Sequence, residues 1–218
     1  MVTKRDAYRT WRSHKLVADG LQPDTIYHYG IFLDGKLASD VRQLRTFPKR
    51  KAQAAYRFLF GSCTNVFSTT ELSPALEAMA EEDALILFHL GDIAYSDIVT
   101  NDITQQRTHN SRRYRDCAIA DSLAKVLPIA YQVDDHDSAG NDGHYDTTYS
   151  GTSFPVVMAN TRQAIIETTP IYPLVDPRAL TQVVDIASTR HILLDTRSQA
   201  RYASGTPTAL GIGSNPPG

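Results

Sequence analysis

Three short polar segments, each directly behind an apolar run, hold the residue types that metal chemistry needs. They are Gly61-Ser62-Cys63-Thr64-Asn65, Gly91-Asp92-Ile93-Ala94-Tyr95-Ser96-Asp97, and Asp134-Asp135-His136-Asp137 followed by Gly140-Asn141-Asp142. Asp-Asp-His-Asp packs three carboxylates around one imidazole. Such carboxylates repel one another, and their pKa values rise unless a cation is present to relieve the repulsion. Carboxylate oxygens suit Ca²⁺, Mg²⁺ or Mn²⁺, whereas a thiolate with a tyrosinate suits a more acidic ion such as Fe³⁺. The mixed donor set therefore predicts two unlike metals side by side. Metals ~3.5–4 Å apart clamp a phosphoryl group and activate a water for in-line attack.

Taken singly, each piece has a plainer explanation. Gly-Asp after a strand is an ordinary turn, and Cys63 alone reads as a small buried hydrophobe. Asp134 to Asp137 alone reads equally as a solvated, helix-capping loop. His89 lies inside an apolar run and is expected to be a satisfied core histidine. His14, His28, His109 and His144 have no metal-ligand spacing and are expected on the surface. Cys117, one turn after Arg113 in a predicted helix, is expected to be structural. Joint occurrence at three consecutive strand ends is what favours the metal reading.

The elements that must position these segments alternate. Strands are predicted at Tyr56 to Phe60, Leu85 to Leu90 and Ile129 to Val133. Helices are predicted at Pro74 to Ala80, with Ser73 as N-cap, at Arg113 to Leu127 and at Met158 to Thr168. Two further strands, Gln182 to Ala187 and His191 to Leu194, flank a hairpin at Ser188 to Arg190. The alternation predicts an α/β fold with a largely parallel sheet, which places ligands beyond the carboxyl ends of the strands. Residues 1 to 48 differ, with about three short alternating strands and an Asp34-Gly35 hairpin turn. Alternation of Ile26 and His28 against Tyr27 and Tyr29 predicts one buried face. A polar, proline-marked linker follows at Pro48-Lys49-Arg50-Lys51.

Composition sets the outer limits. The chain has 218 residues, with 22 basic and 24 acidic side chains for a net charge of −2, which excludes a broadly basic nucleic-acid binder. Apolar residues at 42% and charged residues at 21% argue against a wholly disordered chain. Two cysteines cannot make a disulfide framework. The longest apolar run, Ala84 to Leu90, falls well short of the ~18 residues of a membrane span, and the basic start lacks the apolar core of a secretory signal.

The three segments, with Leu194-Asp195-Thr196-Arg197 and Leu210-Gly211, resemble the alkaline phosphatase D (PhoD-like) family of metallophosphoesterases. Residues 16 to 47 resemble the last strands of the fibronectin-III-like domain that precedes the catalytic domain there. The resemblance implies a metallophosphatase-like α/β sandwich, divided as 1–48 partial fibronectin-III-like domain, 49–55 linker and 56–218 catalytic domain. It implies hydrolysis of phosphate mono- or diesters by a metal-activated hydroxide at a site holding Fe³⁺ and Ca²⁺. By that likeness Cys63 and Tyr95 are iron ligands, and Asp92 is shared between metals. Asp135 is a calcium-side ligand, with Asp134 the alternative because the doublet leaves the register open. His136 stabilises transition-state charge or protonates the leaving group, and Asn65 and Asn141 position phosphate or support the metal shell. Arg197 either grips a phosphate oxygen or forms a structural salt bridge.

Two departures from the family pattern shape the expectation. Val133 stands where the family commonly has Trp. No histidine follows Arg197 and Asp195 is the last acidic residue, whereas the family continues to a Gly-Asp-Val-His-type element. The chain is thus expected to be the middle of a longer protein, and the alternative function is a non-catalytic fragment or binding module keeping part of the metal pocket. The expected partner is a small phosphate ester, with no nucleic-acid patch and no membrane span. The resemblance implies a secreted or periplasmic location.

Overall fold

The apolar runs ahead of the polar segments form one parallel sheet. The computed structural model describes residues 8–10, 13–64, 74–95, 97–112, 123–149, 151–198, 200, 202–203 and 206–207. The N-terminal strands are β1 (Tyr8–Thr10), β2 (Ser13–Lys15), β3 (Ile26–Tyr29), β4 (Phe32–Leu33), β5 (Lys36–Leu37) and β6 (Arg42–Arg45). The sheet that carries the polar segments consists of β7 (Leu59–Gly61), β8 (Leu87–His89) and β9 (Ile129–Tyr131), with β8 in the middle. Its register aligns Gly61, His89 and Tyr131 in one row, so the three following loops leave the sheet at the same level.

Every residue of β8 is buried, as expected of a strand covered on both faces. Its period-two alternation sorts the side chains between two cores. Leu87, with Leu59, Ile129 and Tyr131 from the neighbouring strands, faces the helical side. There Leu76 of helix α1 (Pro74–Glu81), Leu123 of the short helix α3 (Leu123–Val126), and Phe154, Val157, Met158 and Ile165 of helix α4 (Phe154–Thr168) complete the core. Ile86, Phe88 and Ala130 face the opposite side. Val184, Ile186 and Leu193 close that side from an antiparallel hairpin of β12 (Gln182–Ile186) and β13 (Thr189–Leu193). Two small antiparallel ladders complete the described strands, β10 (Thr148–Tyr149) with β11 (Thr152–Ser153) and β14 (Tyr202–Ala203) with β15 (Thr206–Pro207), and Tyr149 of the first packs against the helical-side core.

Some elements differ from the residue pattern. Helix α2 (Ile103–Arg112) has no counterpart in the sequence reading because its buried face is polar, with Gln106 and Asn110 one turn apart. It is capped by Asp102, whose Oδ1 accepts the N–H of Thr104 at 2.8 Å, and Gln106 anchors it by donating to the carbonyl of Ile98 at 2.9 Å. Helix α4 starts four residues before the expected Met158, with a proline in its first turn. The β12–β13 turn falls on Ala187 and Ser188, one residue ahead of expectation, and Ala187 takes φ 52° there. Of the helix expected over Arg113 to Leu127, residues 113–122, with Cys117, lie outside the described residues, as does the expected cap Ser73.

In the N-terminal part the Asp34-Gly35 turn forms as expected, with φ 48° and 78°, and joins β4 to β5. The single buried face does not form among the described residues. Ile26, His28 and Tyr29 are exposed, and Tyr27, Leu44 and Arg42 of this two-stranded ladder of β3 with β6 are only half-buried, although the short helix α3 lies against β6. The linker docks on the β12–β13 hairpin. Lys51 donates its N–H to the carbonyl of Ala187 at 2.6 Å, Arg50 pairs with Asp185 at 3.0 Å, and Phe47 stacks on Tyr172.

Candidate metal centre

Backbone pairing runs past the ends of the strands into the polar loops. Leu90 donates to the carbonyl of Gly61 at 2.8 Å, Cys63 to that of Gly91 at 3.1 Å, and Thr64 to that of Asp92 at 3.0 Å. The loop after β7 therefore lies along the loop after β8. On the other side Gln132 donates to the carbonyl of His89 at 2.8 Å, and the two loops meet so closely that no side chain fits at Gly91. A Cβ there would stand 2.8 Å from the Asp134 nitrogen, and φ 107° is itself unfavourable for other residues.

Backbone strain concentrates at this meeting point. Eight described non-glycine residues have positive φ, and four of them, Cys63, Asp92, Asp97 and Asp142, belong to the strand-end loops. Residues in this region persist only where their surroundings over-determine them, which is common in sites that present side chains to a ligand.

The side chains converge accordingly. Donor atoms of Asp92, Asp135 and His136 lie within 4.8 Å of one another. Cys63 reaches the same place, with Sγ donating to Asp92 Oδ2 at 3.7 Å, and the rings of Tyr95 and His136 are 4.2 Å apart. Asp134 lies beside this group and has a partner of its own. Its carboxylate pairs with Arg197, whose guanidinium also comes within 3.9 Å of Asp135. Arg197, expected either to hold phosphate or to form a salt bridge, thus makes the salt bridge here. Asn141 is exposed and donates to Asp142 at 2.9 Å, while Asn65 lies outside the described residues. His89 is buried, and its Nε2 is hydrogen-bonded to the Thr64 hydroxyl at 3.0 Å.

Two carboxylates that the sequence reading left without a role hold the loops together. Asp137 is fully buried and accepts the N–H groups of Asp92 at 2.6 Å and Asp134 at 3.1 Å. Asp97 accepts from His136 Nδ1 at 2.7 Å and donates its own N–H to the His136 carbonyl at 3.3 Å. The segment quoted both residues, but spacing alone carries no sign of either contact.

The electrostatics ask for a cation. Burial, followed by the charges of Asp137, Asp134 and Asp135, pushes the Asp92 carboxyl up to about 6. Its buried Oδ1 has no hydrogen-bond partner, a costly state for a carboxylate oxygen. Partial desolvation and then the charge of Asp92 and the Cys63 thiol push Tyr95 up to about 12. For His136 burial works downward, but Asp97, Asp135 and Asp92 outweigh it and leave the pKa raised. A bound metal would reverse the penalty on Asp92 and Tyr95 and would give the orphaned oxygen a partner. The residues present fit such a group in number, donor type and charge.

The comparisons agree with this chemistry. No protein-family model matches the chain. Over 141 residues, 57% of this chain and 24% of the relative, it is 29% identical to alkaline phosphatase D of Bacillus subtilis (strain 168). Its fold is similar to that of a purple acid phosphatase isolated from yellow lupin (Lupinus luteus) seeds, with TM-score 0.52 and 16% identity over 90% of this chain and 35% of that one. The chain thus spans only about a quarter to a third of the relatives it matches. In sequence it resembles alkaline phosphatase D, and its fold is that of the metallophosphatases.

Proposed function

We propose that the chain is a metal-dependent phosphoesterase of the alkaline phosphatase D type, hydrolysing phosphate mono- or diesters. The observation that carries this reading is the gathering of Asp92, Asp135 and His136, with Cys63 and Tyr95 beside them, at the carboxyl ends of one parallel sheet. In this reading Cys63, Tyr95 and Asp92 hold Fe³⁺, and Asp92 and Asp135 hold Ca²⁺. The pairing of Asp134 with Arg197 supports Asp135 over Asp134 as the ligand. Bound metals supply Lewis acidity toward the phosphoryl oxygens and acidify water. His136 faces the developing charge and protonates the leaving group. Arg197 holds the Asp134 carboxylate, and Asn65 and Asn141 contribute phosphate or outer-shell contacts.

The same reading assigns residues 1–48 to a partial fibronectin-III-like domain, 49–55 to a linker and 56–218 to the catalytic domain. A secreted or periplasmic location rests on the resemblance alone. The test is a phosphatase assay after loading with iron and calcium, on the native chain and on Asp92→Ala and Cys63→Ala. Hydrolysis that falls in both variants supports the assignment, and hydrolysis indifferent to both rejects it. Bound metal without any hydrolysis would favour the binding-module alternative.

A further inference from the structure

We propose that His89 is a positioning residue that acts through Thr64 to present the Cys63 sulfur to a metal. The inference rests on the phosphoesterase reading only for the metal, and the contact that carries it lies in the protein itself. The Thr64 hydroxyl is hydrogen-bonded to His89 Nε2 at 3.0 Å. His89 is 1% exposed, so water does not compete for that bond, and it stands opposite Gly61 in the register of β8 with β7. Gly61 ends β7, and its carbonyl accepts the N–H of Leu90 at 2.8 Å. The chain is thus tied to β8 at Gly61 and tied again by Thr64, at the very residue that faces Gly61. Ser62 and Cys63 are all that lies between the two anchors.

So short a span forces a sharp turn. Cys63 carries it at φ 58°, a left-handed conformation that is unfavourable for a residue with a side chain and lasts only where its surroundings impose it. The bonds from the Cys63 and Thr64 N–H groups to the carbonyls of Gly91 and Asp92 set the path of the loop. The side-chain bond adds a second constraint. Threonine is branched at Cβ and stiff at χ1, so holding its hydroxyl holds its backbone as well. The outcome is a sulfur 3.7 Å from Asp92 Oδ2, beside the donor atoms of Asp135 and His136. A hydroxyl both donates and accepts, so it bonds either tautomer of the ring. The role is one of shape and involves no change in protonation.

Two measurements on the 218-residue chain test this, and neither depends on hydrolysis. In the metal-free protein, alkylation of Cys63 by iodoacetamide is timed by peptide mass mapping, which separates it from Cys117. Thr64→Val keeps the shape of the side chain without its hydroxyl and is expected to react several-fold faster, and Thr64→Ser to react at the native rate. In the second measurement Co²⁺ is titrated in, and the thiolate-to-metal absorption band that Cys63→Ala abolishes is read. Thr64→Val and His89→Phe are each expected to weaken Co²⁺ binding about ten- to a hundred-fold and to shift the band, as loss of a partner behind a ligand does. Thr64→Ser is expected to restore both. The double variant is expected to lose no more than either single one, because the two residues act through one contact. Losses that add overturn the action of His89 through Thr64. A native chain without the band, or a Thr64→Val chain unchanged in either measurement, overturns the positioning of the sulfur. If the native chain loaded with iron and calcium hydrolyses no phosphomonoester, the phosphoesterase reading fails, and the two cysteine measurements still decide the role of His89.

Discussion

Asp137 accepts the backbone N–H of Asp92 at 2.6 Å through a carboxylate that has no contact with solvent. The same carboxylate takes the N–H of Asp134 and, at 3.4 Å, that of Ala94, so one side chain sets where two loops sit. Replacing it leaves several buried donors without an acceptor. Asp137→Ala is expected to cost about 3 kcal/mol of stability and to weaken metal binding, with Asp137→Asn milder in both. Urea denaturation checks the first part: the midpoint drops while the slope holds, since the folded state and the surface exposed on unfolding stay the same.

A second prediction concerns pH. The Asp92 carboxyl titrates near 6 in the metal-free fold against 3.8 when unperturbed, so its neutral form is the one the fold prefers. Its contribution to stability is fully present below about 4 and is lost as pH rises through about 6. Melting temperatures of chelated protein between pH 4 and 7 should show this loss, and Asp92→Asn should flatten it. Metal competes with that proton, so apparent metal affinity should hold above about pH 6 and fall below it. Calorimetric titration at pH 5 and pH 7 checks the sign.

Gly91 offers a sharper steric test. Gly91→Ala combines a Cβ 2.8 Å from the Asp134 nitrogen with φ 107°. A loss of about 2–3 kcal/mol is expected, together with weaker metal binding, because relief comes only by moving one loop off the other. Thermal unfolding and metal titration of the same variant would show whether both losses occur together.

Away from the metal centre, Arg107 of α2 grips Glu167 of α4 through two bonds of 2.6 and 2.8 Å. The pair is mostly buried and joins two helices. Arg107→Ala is expected to cost about 2 kcal/mol, between the values for exposed and fully buried pairs. Arg107→Lys should restore only part, since an ammonium cannot reproduce the planar two-point contact. Comparing the urea midpoints of the two variants tests the geometry rather than the charge.

Legibility in the sequence divided along physical lines. Apolar runs such as Leu85 to Leu90 announced buried strands, and the residues directly behind them gave Cys63, Asp92, Tyr95, Asp135 and His136, which the fold brings together. Helix α2 was hidden because Gln106 and Asn110 fill its inner face, and hydropathy carries no mark of a polar residue that is buried. The contacts of Asp97 and Asp137 were hidden for another reason. Both are reached across loops, and their partners are fixed by backbone turns at positive φ that an aspartate does not advertise. The pairing of Asp134 with Arg197 spans sixty-three positions, a separation no local pattern can bridge.

The central position of β8 bears on how long the site survives. Its strand pairs with β7 on one side and β9 on the other, and all three of its residues are sealed from water. Backbone amides there should exchange with deuterium only when the whole domain opens, whereas the outer strands can fray on their own. Asp92 is anchored behind the slowest-exchanging strand, and Cys63 and Asp135 follow its flanks. A metal shared across these loops would loosen from the edges inward, with Asp92 the last to let go.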